Sequence, residues 1–85
     1  MTCELCHREV EEFTTHHLVP KSENGRGDEV VIVCKACHKM IHSLFSNRQL
    51  ARELNTTSRL KKHPAMRRFI RWVKNQDPNK RIKVR

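Results

Sequence analysis

Two thiols and two imidazoles fall within the nine residues Cys34 to His42, CKACHKMIH. Cys34 and Cys37 have the C-x-x-C spacing that lets a tight turn present two sulfurs to one metal. His38 and His42 stand four apart, so on a helix their rings share one face. A second set lies upstream: Cys3 and Cys6, then the adjacent His16 and His17. Together the four thiols can complete one tetrahedral site, which leaves no position for a substrate and is therefore structural. The 27 residues between Cys6 and Cys34 would then be an excursion from a zinc-clamped base. The histidines imply different chemistry. Successive strand residues face opposite ways, so His16 and His17 are not expected to bind one metal together unless the backbone bends. One of them can join His38 and His42 as a third ligand while the other stays free. Three protein ligands leave an open position, the condition for catalysis, and a free imidazole of pKa near ~6.5 suits a general base. Histidines that only pack, or that fill out the thiol site, are the plain alternative. A His pair followed by a helical His-x3-His argues against it.

Bulk properties narrow the setting. A chain of 85 residues makes one domain, near the size where a core alone is marginal. Only 36% of its residues are hydrophobic, with three Phe and one Trp, so the fold needs a staple. Four cysteines offer two disulfides or one tetrathiolate zinc. The start TCELCHREVEE lacks the basic opening and apolar run of a signal peptide, and no stretch approaches the ~18 apolar residues of a membrane span. A cytoplasmic, intracellular location without membrane attachment is expected, and thiols kept reduced there favour zinc. CELCH and CKACH also match c-type haem attachment literally, but that chemistry needs export, so no haem is expected.

Charge points to the partner. Lys and Arg number 18 against 9 Asp and Glu, a formal +9. Residues 1–12 carry four acids, whereas residues 58–85 carry eleven Lys and Arg and the single acid Asp77. Such asymmetry implies a polyanion, nucleic acid before membrane.

The elements that must position these groups follow from local pattern. Phe13–Val19 (FTTHHLV) reads as a strand that Pro20 ends, and residues 21–28 (KSENGRGD) form a polar loop with an Asn-Gly turn signal. Val30–Val33 is the return strand, wholly apolar and expected to be buried on both faces. A helix from about Cys37 to Phe45 should dock through Ile41, Leu44 and Phe45. Ser46 and Gln49 form a capping-box pattern for a second helix to about Leu54, and Asn55-Thr56-Thr57 breaks it and caps the next. Pro64 suits the first turn of a further helix, in which Met66, Phe69, Ile70 and Val73 repeat at i, i+3, i+4, i+7, ending near Asn75. Opposite that stripe lie Arg67, Arg68, Arg71 and Lys74, a face suited to phosphate backbone; Trp72 is expected at a packing edge. The tail 77–85 is basic and expected to be mobile.

In order, C-x-x-C, THHLVP, a Gly-containing loop and VVIVCKACHKMIH resemble the zinc-ribboned HNH endonucleases, the ββα-metal group, over about residues 3–45. The resemblance implies an α+β fold: a zinc-stapled ββα-metal core at 1–46, then two or three C-terminal helices at 47–76 packed on it, all one structural domain. It implies structural zinc on Cys3, Cys6, Cys34 and Cys37, and a catalytic divalent metal on His16, His38 and His42, with His17 activating water. Three imidazoles favour Zn²⁺, Ni²⁺ or Mn²⁺ over Mg²⁺. The implied reaction is hydrolysis of DNA, duplex foremost, to 5′-phosphate and 3′-hydroxyl ends. One position departs from the family: its middle Asn, which braces the loop holding the base, is replaced by Glu29, preceded by Asp28. Either carboxylate could take over the brace. The competing reading is a non-catalytic zinc-finger module that binds nucleic acid; such a module has no need of the four histidines.

Overall fold

A computed structural model describes residues 1–23 and 29–78. Asp28, the Asn-Gly turn and residues 79–85 of the basic tail lie outside the described residues. The fold is α+β, a two-stranded antiparallel sheet followed by helices. Strand β1 spans Phe13–His17 and strand β2 spans Val30–Cys34, paired Phe13↔Cys34 through His17↔Val30. A single 3₁₀ turn, Lys21–Glu23, follows β1. Among the described residues four helices come after β2: α1 at Lys35–Leu44, α2 at Asn47–Glu53, α3 at Thr57–Lys62 and α4 at Pro64–Val73. Among the described residues no helix is long and apolar enough to cross a membrane.

The strand alternation decides what faces the core. His16 and Val31 sit opposite each other, both buried, whereas Phe13 and Val30 point outward and are exposed. The expectation that Val30–Val33 is buried on both faces is therefore corrected: Val31 and Val33 are buried, Ile32 is half-buried and Val30 is exposed. A sheet of two strands has one face covered by α1. The outer edge of β2 meets the first knuckle, where the Glu4 amide donates to the Ile32 carbonyl and the Ile32 amide to the Glu4 carboxylate.

Helix α1 begins two residues earlier than the sequence indicated. Cys34 is its N-cap, with its Sγ accepting the Cys37 amide. Ile41 and Phe45 are buried, but Leu44 is 40% exposed, so the docking stripe is narrower than the predicted Ile41–Leu44–Phe45 set.

The C-terminal helices are short, and isolated helices of this length are unstable in water. Side-chain caps and burial hold them. Ser46 caps α2 by accepting the Gln49 amide, and Thr56 caps α3 by accepting the Arg59 amide, each cap worth about 1 kcal/mol. His63 caps α4, with Pro64 at its first position. Met66, Phe69, Ile70 and Val73 are all buried, at roughly 1.5–3 kcal/mol apiece. Burial thus outweighs weak local propensity. Helix α4 packs on α3 and α1, placing the helical extension against the sheet-bearing half.

Candidate metal centres

Two clusters of metal-ligating side chains form among the described residues. In each cluster the ligand atoms all lie within 4.8 Å of one another.

The first is Cys3, Cys6, Cys34 and Cys37, all buried and all free thiols. Each C-x-x-C closes a turn in which the second cysteine's amide donates to the first cysteine's sulfur, at 3.5 Å for Cys6 and 3.4 Å for Cys37. The turns are alike because the spacing is. The residue after the first knuckle, His7, holds φ at 62°, a left-handed conformation uncommon outside glycine. The Cys6 and Cys34 sulfurs lie 3.9 Å apart. A tetrahedral zinc with Zn–S of ~2.3 Å puts its sulfurs roughly 3.8 Å apart, so the thiols fit such an ion. Four buried cysteines in this arrangement could hold a structural metal such as zinc.

Sequence reading passed over the residue that completes this site. Arg8 is buried, and its guanidinium donates to Cys6 Sγ at 3.3 Å and Cys34 Sγ at 3.4 Å. It also donates to the carbonyls of Gln76 and Asp77, just beyond α4. Burial alone would lower its pKa, but the bonds to Cys6 and Cys34 outweigh that and raise it. Among the thiols, hydrogen bonding from Cys3 first, and Arg8 to a lesser degree, lowers Cys6 to about 6. Cys34 is also driven down, first by Cys3, while the hydrogen bond with Cys3 drives Cys37 up. The signal available in the sequence was a lone Arg two residues past a C-x-x-C.

The second cluster is His16, His38 and His42, brought together from β1 and α1. Its ring centroids are 5.5 Å (His16–His38), 5.3 Å (His16–His42) and 4.9 Å (His38–His42) apart. Exposure is graded: His16 is buried, His38 half-buried and His42 exposed. His16 Nε2 is buried without a hydrogen-bond partner among the described residues. An orphaned buried nitrogen costs about 1–3 kcal/mol, and a metal would satisfy it. Burial first, then the neighbouring imidazoles, lower the pKa of His16 to about 4. The same two causes lower His38. Both rings therefore stay neutral, as ligands must. The residues present fit a divalent ion with an open side.

The remaining sequence candidates are placed as follows. His17 is half-buried at the end of β1, one residue from His16 and so on the other face of the strand. Glu29 is exposed, and its carbonyl, not its carboxylate, accepts the Leu18 amide at 3.1 Å. A backbone contact of this kind can hold the strand end with any side chain at that position. Arg67, Arg68, Arg71 and Lys74 are all exposed on and just after α4, apart from both metal clusters in sequence. Trp72 is half exposed, its ring 6.0 Å from that of Phe69.

The pattern of the HNH endonuclease family matches residues 3–44, the stretch that builds both clusters. The chain is also 42% identical over 83 residues to "Uncharacterized protein YisB" of Bacillus subtilis (strain 168), covering 98% of this chain and 83% of that one. The chain belongs to the HNH endonuclease family. No solved structure matches it. Membership makes a nuclease or nucleic-acid-related function the frame in which the two clusters are read.

Proposed function

We propose that the chain is a metal-dependent HNH endonuclease that hydrolyses DNA phosphodiester bonds. The observation that carries this reading is the convergence of His16, His38 and His42, with the buried Nε2 of His16 unpartnered among the described residues. A zinc-binding module stapled by Cys3, Cys6, Cys34 and Cys37 gains nothing from leaving such a nitrogen unsatisfied.

In this reading His16, His38 and His42 hold the catalytic metal. A divalent ion there would neutralise phosphate charge and stabilise the departing 3′-oxygen. The depressed pKa values of His16 and His38 keep both lone pairs available at neutral pH. His17, next to the ligand set but not part of it, takes the proton of the attacking water. The Glu29 carbonyl, bonded to Leu18, steadies the strand end that carries this base. Arg67, Arg68, Arg71 and Lys74 hold the phosphate backbone, a contact blind to sequence and sensitive to salt. Residues 1–46 act as the catalytic core, with 47–76 as its helical extension.

Plasmid cleavage by wild type, His17→Ala and His16→Ala, with metal binding measured on the same samples, tests the assignment. His17→Ala should retain metal and lose cleavage by roughly 10²–10⁴-fold. His16→Ala should lose the catalytic metal while keeping the zinc on the cysteines. Wild-type cleavage by both variants would leave the nucleic-acid-binding module as the function.

A further inference from the structure

The His38 ring is tied down at one nitrogen by a residue outside both clusters. Thr14 lies on β1 two residues before His16, hence on the same face, and is half-buried beneath α1. Its Oγ1 is 2.8 Å from His38 Nδ1 and 3.4 Å from the Val33 carbonyl oxygen. The Val33 carbonyl can only accept, whereas the 2.8 Å contact runs either way with the ring tautomer; both contacts are hydrogen bonds at once only when the threonine proton goes to Val33. The Oγ1 lone pairs then face His38, and the bond at 2.8 Å needs its proton on Nδ1. A neutral imidazole with its proton on Nδ1 has a bare Nε2. With both bonds made, the chain is directional, His38 Nδ1–H to Thr14 hydroxyl to Val33 carbonyl, and leaves a lone pair on His38 Nε2.

We propose that Thr14 is a positioning residue that locks His38 as the Nδ1–H tautomer and so commits its Nε2 to the metal. The inference rests on the reading of His38 as a ligand. It deepens that reading by naming which nitrogen binds and what selects it. The same face of β1 then serves the centre twice, once through the ligand His16 and once through the partner of His38. Outer hydrogen bonds of this kind set both ring orientation and ligand basicity.

Two variants separate the hydroxyl from the shape of the side chain. Thr14→Val keeps the branched outline and removes the hydroxyl, and Thr14→Ser keeps the hydroxyl. Ring ¹⁵N shifts of His38 report the tautomer in protein with zinc on the thiols and none on the histidines. Titration of the same protein with Ni²⁺ reports affinity. Wild type and Thr14→Ser should show the Nδ1–H form. Thr14→Val should show a mixture and bind Ni²⁺ about 10–100-fold more weakly. An Nε2–H tautomer in wild type overturns the proposal even if Thr14→Val fails to fold. So does Thr14→Val with unchanged tautomer and affinity, or Thr14→Ser behaving as Thr14→Val does. Wild-type protein that shows no Ni²⁺ contact to the histidines overturns the ligand reading itself, and this proposal with it.

Discussion

The cysteine and histidine clusters use the same raw material, close sets of metal-ligating side chains, and differ in how the protein finishes them. Around the thiols everything is closed. All four are buried, two sulfurs accept backbone amides, and Arg8 donates to two of them. The imidazoles run from buried His16 to exposed His42, with one nitrogen at the buried end unpartnered among the described residues. A closed site converts ligand binding into folding energy. An open one keeps a side for substrate and must take its stability from elsewhere. The contrast implies that stability and chemistry can be perturbed separately in a chain this small.

The sharpest separation comes from removing metal. Chelation that strips the thiols should unfold the knuckle end and the helices anchored to it, since metal binding in small domains is folding free energy on the order of 10 kcal/mol. Circular dichroism and bound zinc should fall together. Chelation confined to the histidines should lower the melting temperature only modestly, on the scale of the ~1–3 kcal/mol left on the buried His16 nitrogen. Retention of the native fold by thiol-stripped protein would erase the distinction.

Acid probes the histidine side. With those histidines metal-free, His16 stays neutral in the fold down to about 4, while unfolded His16 protonates near the ordinary 6.5. Between these values the unfolded chain binds more protons, so stability falls as pH falls, by at most about 1.4 kcal/mol per unit. Above pH 6.5 this contribution is flat. Denaturant midpoints from pH 6.5 to 5 should drop more steeply for wild type than for His16→Leu. Equal slopes would mean that the His16 ring is not shielded.

Arg8→Gln tests the finish on the thiol side. It removes charge-assisted bonds to Cys6, Cys34 and the chain beyond α4, and should cost about 1.5–3 kcal/mol. Hydrogen exchange should quicken for amides near Gln76, and zinc should leave faster in the presence of a chelator. The histidine site should be untouched. A change confined to the histidines would contradict the placement of Arg8.

The smallest effect lies in the first knuckle. His7 sits at φ 62°, and Lys61 donates to its Nε2 at 2.8 Å. His7→Gly relieves the backbone but loosens the unfolded chain and loses that contact, so stability should shift by less than about 1 kcal/mol. A much larger loss, seen by thermal melting, would assign His7 a role in binding the ion.

Much of this was legible in order along the chain. The four-cysteine set, the two strands, the caps at Ser46 and Thr56, and the Met66–Val73 stripe all rest on contacts between near neighbours or on a fixed period. Two misreadings of burial share one cause. Val30 and Leu44 are apolar, and pattern alone assigns apolar residues to the core. A sheet of two strands under one helix has too little cover to bury them. Arg8 was hidden among acidic neighbours as part of a connector, because its partners Cys34, Gln76 and Asp77 are remote in sequence.

Residue type and spacing were enough to decide which atoms could serve as ligands, because a C-x-x-C turn and a helical i, i+4 pair are made by the local backbone. Tertiary packing alone decided the rest. Only the docking of α1 across β1 could bring His16 to His38 and His42, bury its Nε2 without a partner among the described residues, and set Thr14 against His38. Hydrogen bonds and burial of that kind depend on the distance between segments, and no period along the chain encodes it.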